Sequence, residues 1–255
     1  MARVQLRFYE ELNDFLSPAL RKVAFLHTFD RRASVKEMIE SFGVPHTEVD
    51  IILVNGDSVD FSYIVQDGDH ISVYPVFESL DISPLLRLRP APLRSPAFVL
   101  DSNLGRLARY LRLLGFDCLY QNDFDDETVA NIADREQRTV LTRDRALLQR
   151  KVITRGYFVR EVRPRLQVKE VLARFDLYRL VTPFSRCIRC NGDLQVIDKQ
   201  AIEGRLEPKT RKYFDTFRMC TDCGQIYWQG SHHARSLPLI AELTKPQELV
   251  SPARC

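Results

Sequence analysis

Two pairs of cysteines carry the clearest chemistry in this sequence. Cys187-Ile-Arg-Cys190 and Cys220-Thr-Asp-Cys223 are separated by 29 residues. Two residues between cysteines let a tight turn aim both thiolates at one ion, and the glycines that follow, Gly192 and Gly224, permit the positive φ such turns need. Four thiolates complete a tetrahedral zinc ion and leave no open position, so the spacing predicts a structural rather than a catalytic metal. A redox dithiol needs only one C-x-x-C and leaves the second unexplained. Beside them, His232 and His233 could be extra ligands, bases or RNA contacts, but with four cysteines sufficient they read first as packing near the ribbon. Tyr227 and Trp228 suit base stacking and a small hydrophobic core about equally.

A second constellation is acidic. Asp101 follows the apolar run 98–100, Asp126 precedes a helical pattern at 128–137, and Asp144 follows 139–143. In an open parallel sheet, ligands bind outside the carboxyl ends of the strands, and carboxylates gathered there can hold Mg²⁺ or Mn²⁺ for phosphodiester hydrolysis. An Asp just before a helix is also a favoured N-cap, which accounts for each acid singly and less readily for three at one edge. Asp123, Asp125 and Glu127 could replace or supplement Asp126, and Glu161 could supply a fourth carboxylate. Arg106, Arg109 and Arg112 recur every third residue on the helix predicted at 104–114, with Arg143 beside Asp144; they could follow a phosphate backbone or form a solvated face. Neither a G-x-G-x-x-G nor a Walker-type loop occurs, which removes support for a dinucleotide or nucleoside triphosphate enzyme.

The elements that must position these residues follow from the patterning. Residues 3–9 alternate in period two, an apolar stretch follows at 23–29, and Ser34 with Glu37 forms a capping box for a helix to Phe42. Strands at 51–54 and 70–77, separated by Asn55-Gly56 and Asp67-Gly68 turn signals, complete a ββαββ order, that of a β-grasp. Pro84, Pro90, Pro92 and Pro96 mark 81–96 as a linker. Beyond it, strands at 98–100, 116–120, 139–142 and 157–160 alternate with helices at 104–114, 126–137, 145–151 and 168–175, which predicts a three-layer α/β domain with a parallel sheet. The expected domains are therefore 1–80, 97–180 and a zinc ribbon at 181–245.

With 255 residues and 45% apolar content the chain can fill such cores. Six cysteines are too few for a disulfide scaffold, and Cys118 reads as a buried hydrophobe. Neither a signal peptide nor a membrane span is recognisable, so a cytoplasmic location and no membrane partner are expected. Residues 1–80 hold 7 Lys+Arg against 13 Asp+Glu, while the remainder holds 30 against 21. A basic body suits a polyanionic partner and an acidic module a different one, protein among the candidates, but charge alone names neither.

Three motifs, FVLDSNLGRLARYLRLLGFD at 98–117, VLTRDR at 140–145 and CGQIYWQGSH at 223–232, resemble the Mut7-C ribonuclease family, a PIN-like nuclease fold joined to a zinc ribbon. The resemblance implies a divalent-metal ribonuclease in which Asp101, Asp126 and Asp144 are the catalytic, Mg- or Mn-binding carboxylates and Thr142 positions water or ligand. Residues 1–80 resemble the Mut7-C ubiquitin domain, a β-grasp relative of small sulfur carriers. Those carriers end in Gly-Gly, absent here, so a docking or regulatory role replaces sulfur transfer. The rival expectation is a non-catalytic RNA- or ribosome-binding adaptor that recruits a protein through the β-grasp module.

Overall fold

The computed structural model describes residues 1–75 and 96–245. The linker expected at 81–96 lies outside them except for Pro96, as do Phe77 and Cys255. In chain order the elements are β1 (Ala2–Phe8), β2 (Phe25–Phe29), α1 (Val35–Ser41), β3 (Val49–Val54), β4 (Asp57–Val59) and β5 (His70–Pro75). Next come β6 (Ala97–Leu100), α2 (Gly105–Leu113), β7 (Asp117–Leu119), α3 (Asp126–Glu136), β8 (Thr139–Thr142), α4 (Arg145–Leu148), β9 (Gly156–Phe158) and α5 (Pro164–Arg174). The chain then forms β10 (Leu194–Ile197), α6 (Lys199–Ile202), α7 (Pro208–Tyr213), β11 (Phe217–Cys220), β12 (Ile226–Trp228) and α8 (Ser231–Thr244). Contacts group them into two units, Met1–Ser95 with Asp125–Phe158 and Pro96–Phe124 with Val159–Cys255.

In the first unit a five-stranded sheet has the order β2-β1-β5-β3-β4, with β1 and β5 parallel and the other neighbours antiparallel, the expected β-grasp. Alternation along β1 sends Val4, Leu6 and Phe8 into the core, where they join Val35, Met38 and Ile39 of α1. The capping box forms as predicted, since Ser34 Oγ accepts from the Glu37 amide and Glu37 Oε2 accepts from the Ser34 amide. Asn55 (φ 53°) and Gly56 (φ 94°) both take left-handed backbone, the requirement of a two-residue hairpin between β3 and β4. β4 itself, three residues of mixed polarity, was not expected.

The same unit contains α3, β8, α4 and β9, with β8 and β9 paired in parallel. The β-grasp module is packed against this segment. His46 Nε2 lies 2.8 Å from the Ile153 carbonyl, and the Phe158 amide donates to Glu48 Oε1 at 2.5 Å. The Arg145 guanidinium stands over the rings of Phe15 and Phe158, at 5.0 and 5.6 Å from their centroids. Glu48 is wholly buried there, so part of the module's acidic surface is satisfied by its own chain.

In the second unit β6 pairs in parallel with β7, and α2 buries Leu107, Ala108 and Leu111 beside α5 residues Val168, Val171 and Leu172. Each buried leucine contributes about 1.5–3 kcal/mol. α5 starts earlier than expected because Pro164 occupies its first turn, where a missing N–H costs nothing. The ribbon is a three-stranded antiparallel sheet, β10-β11-β12, backed by Ile202, Phe217 and Ile226. α8, not foreseen, follows it. Among the described residues no helix is long and apolar enough to cross a membrane.

Candidate functional site

The ribbon brings all four cysteines together. One knuckle, at 187–192, leads into β10, and the other, at 220–224, joins β11 to β12. In the first, the Asn191 amide donates to the Cys187 carbonyl (2.9 Å) and the Cys187 amide to the Gly192 carbonyl (2.7 Å); in the second, the Gly224 amide donates to the Cys220 carbonyl (3.1 Å). Asn191 (φ 79°), not Gly192, carries the left-handed backbone of the first knuckle. Gly192 is needed for closeness instead, because a Cβ there would meet Asp222 Oδ2 at 2.6 Å and Cys220 Sγ at 2.8 Å. The four sulfurs lie within 4.8 Å of one another, with Cys187–Cys223 at 3.7 Å and Cys190–Cys220 at 3.3 Å. Thiolates on a tetrahedral zinc stand about 3.8 Å apart, so the donor set fits that ion and closes its coordination sphere. Burial raises the Cys187 thiol pKa, but the Tyr227 hydroxyl 3.1 Å away and nearby backbone amides outweigh it and bring the group to about 7.

The first knuckle is tied to the α/β core of its unit by two side chains. The Asn191 amide group acts as a short strand partner, its Oδ1 accepting from the Cys118 amide (2.8 Å) and its Nδ2 donating to Asp117 Oδ1 (2.7 Å). Arg112, only 3% exposed, donates from Nε to the Cys118 carbonyl (2.8 Å), from Nη1 to Arg189 (3.0 Å) and from Nη2 to Tyr120 (3.4 Å). Burial pushes its guanidinium pKa down, with the Cys118, Cys190 and Cys187 thiols and Asp117 working against the shift. The arginine grouped with Arg106 and Arg109 by spacing therefore spends its fork on backbone carbonyls.

Arg106 and Arg109 are exposed on α2 and line an open cleft of about 1000 Å³ with Arg112 and, across from them, Arg189. Arg189 was missed by sequence reasoning, although its place inside the first C-x-x-C was the available signal. No Asp or Glu is among the described residues lining this cleft, so it suits a polyanion.

The acids are placed unevenly. Asp101 directly follows β6, is 6% exposed, caps no helix with its side chain, and accepts from Ser102 Oγ at 3.1 Å. Asp123 and Glu161 belong to the same unit and are exposed. In the other unit, Thr142 closes β8, is fully buried, and accepts the Asp144 amide on Oγ1 at 2.8 Å. Asp144 caps α4 by accepting from the Ala146 amide at 2.7 Å. Asp125, not Asp126, caps α3 through the Thr128 amide at 2.8 Å, and those Thr128 hydrogen bonds hold its carboxyl below the usual range. Asp126 and Glu127 are exposed in the first turn of α3, and Arg143 is exposed after β8. His232 and His233 open α8 and lie outside the cysteine cluster.

Residues 96–240 match the family model described as Mut7-C RNAse domain, and residues 1–81 match that described as Mut7-C ubiquitin. No curated protein and no solved structure matches the chain.

Proposed function

Because the chain belongs to the Mut7-C RNAse domain family over more than half its length, we propose that it is a divalent-metal-dependent ribonuclease that hydrolyses RNA phosphodiester bonds. The match over residues 96–240 is the observation that carries this reading. Asp101, Asp126 and Asp144 are the proposed Mg²⁺- or Mn²⁺-binding carboxylates, and an all-oxygen donor set suits those ions. When bound, such an ion supplies charge stabilisation at the phosphate and eases deprotonation of water. Asp101, buried directly after β6, is the acid best held for that task. Thr142 keeps the backbone of Asp144 in position, and Arg106, Arg109 and Arg189 hold the phosphate backbone. Zinc in the four-cysteine site keeps the ribbon folded and takes no part in the chemistry. The proposed domains are the β-grasp module at 1–80, the PIN-like nuclease at 97–180 and the ribbon at 181–245, in a cytoplasmic protein.

The test compares the unaltered protein with an Asp101→Asn, Asp144→Asn double variant on labelled single-stranded RNA and DNA, with Mg²⁺, Mn²⁺ or neither. Asn caps helices as well as Asp, so α4 should persist in the variant. Metal-dependent RNA cleavage that the folded variant lacks supports the proposal; intact RNA with clean, zinc-loaded, metal-supplied protein overturns it. One observation favours a second reading, an RNA- or ribosome-binding adaptor that recruits a protein through its β-grasp module. The Asp125 and Asp144 carboxylates are already engaged at helix N-termini, and an adaptor would bind RNA equally in both proteins without cutting it.

A further inference from the structure

A second cavity, of about 440 Å³, opens on the ribbon side of the second unit between the segment at 183–188, the β11–β12 hairpin and the first turns of α8. The residues that line it include the aromatic Phe184, Tyr227, Trp228 and His233. Phe184 and His233 are stacked, with centroids 4.2 Å apart and planes at 30°. Trp228, the chain's single tryptophan, remains 37% exposed. Phe184 has φ 59°, a left-handed backbone that a bulky residue rarely adopts. Hydrogen bonds hold it at both ends, its amide donating to the Leu113 carbonyl (3.1 Å) and its carbonyl accepting from Arg218 Nη1 (2.8 Å). A ring kept at a strained position on a cavity wall points to a use for the ring.

Charge narrows the occupant. Arg186 and Arg218 line the cavity, and no Asp or Glu is among the described residues that do. Arg186 is paired with Asp117 (3.6 Å) and Asp193 (3.4 Å), whereas Arg218 donates to the Phe184 carbonyl, so the net cation on this wall is Arg218. Ile188, Gln225 and Tyr227 line both this cavity and the arginine cleft beside α2, so the two form one continuous surface. The cleft offers cations without carboxylates, and the cavity offers aromatic residues with the Arg218 guanidinium beside them. A polyanion that carries neutral aromatic rings along its length fits both at once.

We infer that this cavity is a nucleobase site, which seats one unpaired base of a single-stranded RNA whose phosphates run along Arg106, Arg109 and Arg189. The inference rests on the proposed action on RNA and deepens it. A volume of 440 Å³ lies in the range of small-ligand pockets. Bases of a duplex are stacked and paired, so strand ends, loops and bulges are the ligands that can enter. Stacking on aromatic side chains tolerates any base, so the site selects strandedness more than sequence.

The experiment uses full-length, zinc-loaded protein in the Asp101→Asn, Asp144→Asn background, so that bound RNA stays whole. A short single-stranded RNA carries 2-aminopurine at each position in turn, and quenching of its fluorescence reports stacking. Expected results are strong quenching at one register, weak quenching with duplex RNA, and about ten-fold weaker affinity with loss of quenching in His233→Ala and Trp228→Leu. His233 sits on the first turn of a surface helix, so that variant tests the site even if Trp228→Leu disturbs the ribbon; retained zinc certifies each fold. Tight RNA binding with no quenched register, or with both variants unchanged, overturns the base site and leaves the ribonuclease reading intact. No RNA binding, together with no cleavage by the unaltered protein, overturns both.

Discussion

Arg112→Met should destabilise the second unit severely, because Arg112 is almost wholly buried and spends its donors on backbone carbonyls. Methionine keeps most of the aliphatic stem but strands the carbonyls of Cys118 and Arg189, which Arg112 holds at 2.8 and 3.0 Å, and weakens the longer contact to Tyr120 at 3.4 Å. Hydrogen bonds from a charged donor contribute about 1.5–3 kcal/mol each, and the relief of no longer burying a guanidinium offsets part of that. The expected loss is about 3–5 kcal/mol. Urea unfolding of zinc-loaded protein measures it, with Trp228 fluorescence reporting the ribbon and far-ultraviolet circular dichroism the whole chain. Because Arg112 joins α2, β7 and the first knuckle, the variant's fluorescence transition should also move to lower urea than its dichroism transition. Lysine cannot reproduce a planar fork with several donors, so Arg112→Lys should recover little of the loss. The exposed Arg106→Met should change stability by less than about 0.5 kcal/mol. A loss below about 1 kcal/mol in Arg112→Met, or a lysine variant as stable as the parent, would refute this account.

Purified protein should hold one zinc per chain, and its removal by chelator, or Cys223→Ser, should unfold the ribbon, since structural zinc contributes about 10 kcal/mol or more to such folds; an apo protein with an unchanged Trp228 spectrum would contradict this. Arg106→Glu with Arg109→Glu should weaken RNA binding and reduce the salt slope by about 2 while leaving the urea midpoint in place; equal affinity at all salt concentrations would remove these residues from the interface. The capping carboxylates Asp125 and Glu37 both have lowered pKa values, Asp125 through hydrogen bonds from Thr128 and Glu37 through those from Ser34. Their contribution is thus complete above the unfolded carboxylate value of about 4 and is lost as pH falls through the folded one. Asp125→Asn should accordingly flatten part of the decline of the urea midpoint between pH 5 and 3, and an unaltered pH profile would show that the cap carries no such linkage.

Local signals transferred well from sequence to structure. The Ser34 and Glu37 box, the Asn55-Gly56 turn and the paired C-x-x-C knuckles all rest on interactions within a few residues, which spacing alone can encode. Arg112 shows where spacing misleads. A three-residue repeat lags the 3.6-residue turn by about 60° at each step, so Arg112 lies about 120° around α2 from Arg106 and reaches the buried side. The burial of His46 and Glu48 was equally hidden, because the partners Ile153 and Phe158 come from more than a hundred positions later. α8 escaped notice since Pro238 and a polar first turn disguise its period. For the acids, an N-cap and a metal ligand demand the same residue at the same strand-to-helix junction. The structure separates Asp125 and Asp144, which cap, from Asp101, which does not.

The amide of Asn191 fills the place of a neighbouring strand. β7 is at the end of its sheet, and an end strand with open N–H and C=O groups is a template for another chain. Here the Cys118 amide is taken by Asn191 Oδ1 from the four-cysteine knuckle, and the Cys118 carbonyl by Arg112 from α2. A copy whose first knuckle loosened would release the Cys118 amide of β7, while Arg112 on α2 would still cover the Cys118 carbonyl. Treating the protein with a chelator should therefore raise its light scattering, as the exposed strand edge recruits other copies.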